Sequence, residues 1–189
     1  MARLACTSQP GVSLHLVQHG AGAQAPGDYL ARLGVLVARH GCALHAYVLM
    51  GSHAHLLATP ARAEAAAAFM EGLGGEFDAT PVHTRQYFLA CMRYIELNPV
   101  RAGLARDPAH YRWSSHRANA LGEADRLLTP HALYLALGRG APERCAAYRA
   151  GFRSATSASR SASPAGRRAP SAACGCARQE GRCPPGCGR

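Results

Sequence analysis

The sequence predicts an α+β domain, a small antiparallel sheet with its helices packed on one side, followed by a disordered tail. Three observations predict it. Apolar residues alternate in a first short segment and in two later ones joined by "GS", which is the period of half-buried strands. Helical periodicity lies between and after these segments, in the order strand, helix, strand, strand, helix. Beyond about Ala150 large apolar side chains almost vanish, and such composition cannot offset the entropy lost on folding.

The elements follow in order. Residues 13 to 18, "SLHLVQ", read as the first strand, and "HGAGAQAPG" supplies turn and loop chemistry. Asp28 is placed to cap a helix whose apolar face runs through Leu30, Leu33, Leu36 and Val37, with Gly41 as a left-handed stop. "ALHAYVLM" then reads as a strand and "HAHLLAT" as its antiparallel return. "ARAEAAAAFMEGLG" is a strong helix former closed by glycine. "GEFDATPVHT" reads as a short irregular piece, and "RQYFLACMRYIELN" as a helix stopped by Pro99. Residues 100 to 117 are turn-rich, and "TPHALYLALG" and "ERCAAYRAGF" close the domain as small helices.

The chain of 189 residues is long enough for one core-bearing domain, here 1 to 150, with a tail from 151 to 189. No stretch has the roughly 20 apolar residues of a membrane span, and "MARLACTSQPGVS" lacks a signal-peptide apolar segment, so a cytoplasmic protein without a membrane partner is expected. The formal charge is +10, and all 21 basic residues are arginine, a side chain suited to two-pronged contacts with phosphate. From Phe152 onward there are seven Arg against one Glu, so most of that charge sits in the tail. Cys6, Cys42, Cys91 and Cys145 are scattered through the body as single thiols, which suits a reducing compartment. Cys174, Cys176, Cys183 and Cys187 cluster in the tail without the paired C-x2-C knuckles of common zinc sites.

The chemistry concentrates in "HAYVLMGSHAHLLATP". In a strand, residues i and i+2 point to the same side, so His53 and His55 present two imidazoles a few ångströms apart. Such a pair either hydrogen-bonds to its neighbours or supplies two ligands of a metal site, and a third ligand decides between these. The helix before Pro99 offers a candidate face: Tyr94 and Asn98 are one turn apart, with Tyr87 and Cys91 continuing the stripe and Phe88, Met92 and Ile95 to the side. Taken alone, an Asn at a helix end is a cap and a Tyr on a half-buried helix is packing.

Together with "FLACMRYIELNPVRAGL" and "YRWSSHRANALGE", that stretch closely resembles the REP-associated tyrosine transposases, single-tyrosine members of the HUH nuclease superfamily. The resemblance takes in "MARL", the first strand and "LLTPHALYLALG", and so spans roughly residues 1 to 150. It implies a ferredoxin-like sheet, His53 and His55 as metal ligands, Asn98 completing the metal site, and Tyr94 as nucleophile. The implied reaction is cleavage and rejoining of single-stranded or hairpin DNA through a 5′-phosphotyrosine intermediate, by a monomer or homodimer. Mg2+ or Mn2+ is the implied cofactor, although imidazoles would also accept zinc. An ordinary phenol with a pKa near 10 is only about 0.1% ionised at pH 7, so on the order of 4 kcal/mol must come from its surroundings before it attacks as phenolate.

The chain departs from the family's pattern at several points. Gly51-Ser52 stands where Pro-Asn is usual, Ala54 where a bulkier aliphatic is usual, and His19 of "QHG" where the family has an arginine able to touch DNA. Before the tyrosine helix only "GGEFDATPVHT" remains of a longer segment that carries a strand with basic and aromatic residues. Loss of that strand is expected to open the sheet and weaken phosphate contacts. The alternative to an active transposase is therefore a decayed or domesticated copy that binds DNA weakly without cutting. A zinc- or RNA-binding accessory role through the tail is a third reading.

Overall fold

The computed structural model describes residues 10 to 161. Strand β1 (Ser13–His19), helix α1 (Pro26–His40), strands β2 (Cys42–Leu49) and β3 (His53–Pro60), helix α2 (Ala63–Leu73) and strand β4 (Glu76–Val82) form a β-α-β-β-α-β unit. The four strands make one antiparallel sheet in the order β2-β3-β1-β4, the split arrangement of a ferredoxin-like α+β fold. Helix α3 (Arg85–Arg101) and the closing helices α4 (His116–Leu121), α5 (Ala132–Leu135) and α6 (Ala141–Ser161) follow.

The period of two sorts the strand side chains. Leu14 and Leu16 of β1 and Ala54, Leu56 and Ala58 of β3 join one core with Tyr29, Leu33 and Leu36 of α1 and Phe69, Met70 and Leu73 of α2. Leu57 of β3 points the other way and joins a second core with Phe88, Cys91, Met92 and Ile95 of α3, together with Tyr134 and Tyr148. The expectation of helices on one face therefore holds for the crossover helices α1 and α2, while α3 and its companions pack on the opposite face. Strand β2 serves both cores because a register shift between Leu44 and Ala46 reverses its alternation: Leu44 and Tyr47 face the α1–α2 core, Ala46 and Val48 the other.

The shortened segment does form a strand. Glu76–Val82 pairs with β1 along its length, from Ser13↔Val82 to His19↔Glu76, so the sheet keeps its fourth strand. Glu76, Asp78 and Thr80 are exposed, whereas Phe77 and Ala79 pack against the α1–α2 core. Pro81 is tolerated because β4 is an edge, and the charged side chains and proline discourage pairing with another chain there. At the other edge, Leu49 N–H donates to Trp113 O at 2.9 Å and Ser115 N–H to Tyr47 O at 3.0 Å, covering β2 with the segment before α4.

Other boundaries shift for local reasons. Helix α1 starts with Pro26 at its first turn after Ala25, and Asp28 lies inside that turn instead of capping it. Gly41 does end it, at φ 63°, donating its N–H to Val37 O. Helix α3 starts at Thr84, whose hydroxyl accepts from Tyr87 N–H at 3.2 Å, and runs through Pro99 to Arg101. Helix α6 crosses the boundary expected near Ala150, and the remainder of the expected disordered tail, 162 to 189, with its four cysteines, lies outside the described residues. No described helix is long and apolar enough to cross a membrane.

Candidate functional site

Helix α3 lies over β2 and β3, leaving the same face of β1 and β4 open around exposed His19, Asp78 and Thr80. At the border between covered and open parts, the strand register brings four imidazoles together. His19 is the direct partner of His53 and Val17 of His55, while His15 stands diagonally from His55. The rings of His53 and His55 meet edge to face with centres 4.9 Å apart. His15 stacks on His55 at 5.3 Å, with its Nε2 3.1 Å from His55 Nδ1. Tyr94 stands edge-on to both, 6.1 Å from His55 and 5.9 Å from His15, and the Arg101 guanidinium carbon sits 4.7 Å from the centre of the Tyr94 ring.

Protonation follows from this packing. Burial pushes His55 down to about 4, and neighbouring His15, His53 and His19 add to the shift. Burial also lowers His15. Both rings are therefore neutral at neutral pH, each with one N–H and one lone pair. When His55 donates its Nδ1–H to His15 Nε2, the His55 Nε2 lone pair is left free to ligate a cation. Ser52 Oγ stands 3.0 Å from His53 Nδ1, and when it accepts from an Nδ1–H there the Nε2 lone pair of His53 is likewise left to ligate a cation. Ser52 is held nearby by a close loop contact: its carbonyl accepts from Gly20 N–H at 2.9 Å, and a Cβ on Gly22 would overlap the Gly51 carbonyl at 1.6 Å.

Asn98 lies one helical turn beyond Tyr94 on α3. Pro99 has no N–H, so the Ile95 carbonyl one turn back lacks its usual donor. Asn98 Nδ2 donates to that carbonyl at 3.4 Å, a long bond that turns the amide nitrogen inward to the helix and leaves Oδ1 without a helical duty. The four predicted site residues thus divide: His53, His55 and Tyr94 are linked through ring contacts, while the contact recorded for Asn98 is with its own helix. Among the described residues no three His, Cys, Asp or Glu side chains gather to hold a metal ion. Two imidazoles and an amide oxygen nevertheless suit a divalent cation that keeps open positions for water or phosphate oxygens.

Sequence reasoning missed three residues here. His15 was signalled by the same alternation that exposed His53 and His55, since "SLHLVQH" puts residues 13, 15, 17 and 19 on one face. Arg101, seven residues beyond Tyr94, lies on the same helical stripe. Glu96 is fully buried and gathers Ser115 Oγ at 2.7 Å, Asn119 Nδ2 at 2.8 Å, Tyr148 Oη at 3.0 Å and His116 Nδ1 at 3.3 Å. This cluster ties the turn of α3 that carries Tyr94 to α4 and α6. Removing the carboxylate would strand its donors and cost on the order of 3–5 kcal/mol.

No protein-family model matches the chain, and no curated protein matches it. A solved structure does. It is a REP-associated tyrosine transposase bound to a REP hairpin, aligned over 69% of this chain and 93% of that one with a TM-score of 0.54 and 12% identity. At that identity the likeness is one of fold: a four-stranded antiparallel sheet with packed helices.

Proposed function

We propose that this chain is a transposase-like DNA-processing protein that cuts and rejoins single-stranded DNA through Tyr94, with a divalent cation held by His53, His55 and Asn98. The observation that carries the reading is the packing of Tyr94, 41% exposed, edge-on to His55, whose own ring meets that of His53 edge to face in the H-x-H pair. The fold neighbour, a tyrosine transposase bound to a hairpin, supports DNA as the partner.

Bound at these ligands, Mg2+ or Mn2+ would polarise the scissile phosphodiester and stabilise the charge that develops on it. Tyr94 Oη attacks phosphorus, the bond from phosphorus to O3′ breaks, the phenol proton passes to solvent and the departing 3′ oxygen takes one up. The 5′ end stays on the tyrosine as a phosphodiester of similar energy, so the 3′ hydroxyl rejoins it by the reverse attack without ATP. Arg101, held against the Tyr94 ring, brings positive charge to where the phosphate approaches.

A second reading, binding without cutting, is favoured by the open part of the sheet, where Glu76 and Asp78 are exposed beside the histidines and Asp78 pairs with His19 at 2.9 Å. Incubation of the full chain with labelled single-stranded hairpin DNA and Mn2+, followed by denaturing electrophoresis, separates the two. A covalent adduct that disappears in Tyr94→Phe supports cutting. Retarded DNA in native gels with no adduct at any metal concentration sinks it.

A further inference from the structure

A cavity of about 620 Å3 opens beside Tyr94, with His15 in its wall but neither His53 nor His55. Its volume lies within the roughly 300–1,000 Å3 usual for small-molecule sites. One side is the α3 stripe that includes Tyr87, Tyr94, Leu97 and Arg101, and the other is closed by Arg93 together with Gly151 of α6. Among the described residues no acidic side chain lines it.

Its two arginines are poised in the same way. Among the described residues neither Arg93 nor Arg101 has a hydrogen-bond or ion-pair partner. Each is positioned by an aromatic ring instead, Arg101 over Tyr94 at 4.7 Å and Arg93 by Tyr148 at 5.9 Å. A guanidinium fixed by a ring and lacking an acceptor suits the paired oxygens of a phosphate. Buried Leu97 and the half-exposed ring of Tyr87 add a flat apolar surface of the kind on which unpaired bases stack. Gly151 leaves room for the Arg93 guanidinium at the cavity wall, because a Cβ there would fall 2.7 Å from Arg93 Nη1.

We propose that this cavity takes one unpaired nucleotide of the DNA strand next to the phosphodiester that Tyr94 attacks. The base lies against Tyr87 and Leu97, and its phosphate is held by Arg93 and Arg101. The inference rests on the DNA-processing reading for the path of the strand. It adds a site that selects a flipped-out or unpaired residue beside the cut.

Fluorescence anisotropy of the full chain with a 5′-fluorescein single-stranded 12-mer, and with a set of 12-mers each carrying one abasic position, tests it. Arg93→Gln with Arg101→Gln should lower affinity at least tenfold. Gly151→Leu, which from a different helix crowds the Arg93 guanidinium at the cavity wall and leaves the net charge unchanged, should lower it at least fivefold. In the wild type one abasic position should weaken binding several-fold, and in Gly151→Leu that position should no longer matter. If the double arginine variant fails to fold by circular dichroism, Gly151→Leu carries the test alone. Unchanged affinity in Gly151→Leu, a flat abasic scan in the wild type, or equal competition by a 12-residue poly-glutamate would overturn the proposal. The Mn2+ adduct assay on the same proteins keeps the two claims apart. An adduct with a flat abasic scan removes the pocket and leaves Tyr94 chemistry, whereas no adduct with loss of affinity in Gly151→Leu removes cutting and leaves a nucleotide site.

Discussion

On the face of the sheet toward α1 and α2, the strands present Leu14, Leu16, Leu44, Ala54, Leu56 and Ala58, all buried and all hydrocarbon. On the other face the same strands present His15, His19, His53 and His55 along with Leu57 and Val48, under a helix that covers only part of them. The first face is mostly hydrocarbon whose worth is set by area removed from water, with Gln18 as its buried polar exception, bonded to Tyr29 Oη and Gly74 O. The other holds polar rings whose worth depends on where individual nitrogen atoms stand. Tyr94, 41% exposed, belongs to neither core, so its choice is little constrained by packing.

That contrast breaks most sharply at Tyr94. Tyr94→Phe removes one oxygen that is not part of either core, so adduct formation should fall at least about 1,000-fold with an unchanged melting temperature. An adduct of normal yield in the variant would move the nucleophile elsewhere, with Tyr87 the next candidate on the stripe. Next in size is stability: Phe69→Ala on the closed face should cost about 3–5 kcal/mol in urea unfolding, and His53→Ala on the open face less than about 1 kcal/mol. Comparable losses at the two positions would erase the distinction between the faces.

A smaller effect should come from His45, at the bulge of β2. Its Nδ1–H donates to Thr129 O at 2.7 Å, its Nε2 accepts from Thr59 Oγ1 at 2.8 Å, and the titratable group facing it is His131. Burial pushes His45 down to about 4, with His131 adding to the shift and the bond to Thr129 opposing it. Because the folded pKa is depressed, the unfolded chain takes up a proton that the native state refuses. The associated stability is present in full above about pH 6.5 and is lost as pH falls toward 4, on the order of 2 kcal/mol after allowance for solvent near the ring. Thermal melts across that window should flatten in His45→Gln, and an undiminished slope there would clear His45 of the effect. Smallest is the contribution of residues 162 to 189, which carry five Arg and one Glu. Deleting them should weaken single-stranded DNA binding several-fold and reduce its salt dependence, whereas equal salt slopes would mean that the body makes the phosphate contacts.

Much of this architecture was legible because its signals are local. The first three strands and the stop at Gly41 follow from alternation and from a glycine at positive φ, and both are properties of a few adjacent residues. Strand β4 was not legible, since Asp78 and Pro81 are poor strand formers and the β1 partner that stabilises Glu76–Val82 lies far away in sequence. The helical turn beyond Pro99 was hidden for a related reason: the proline removes a donor, and the side chain that replaces it is visible only in three dimensions. Within the site, alternation revealed His53 and His55. His15 obeys the same rule, yet its importance depends on β1 lying beside β3, a long-range fact that one strand's sequence does not contain.

The pairing of Asn98 with Pro99 also bears on how the site ages. An asparagine usually loses ammonia when the backbone nitrogen of the next residue attacks its side-chain carbonyl, and that step needs a nitrogen able to shed a hydrogen. Pro99 offers a nitrogen that has none. The residue that leaves the Ile95 carbonyl without its donor therefore also closes the commonest route by which Asn98 would decay to aspartate. A protein with this pair should keep its side-chain amide, and the neutral oxygen that amide carries, through long storage at neutral pH, where an Asn followed by Gly would have turned acidic.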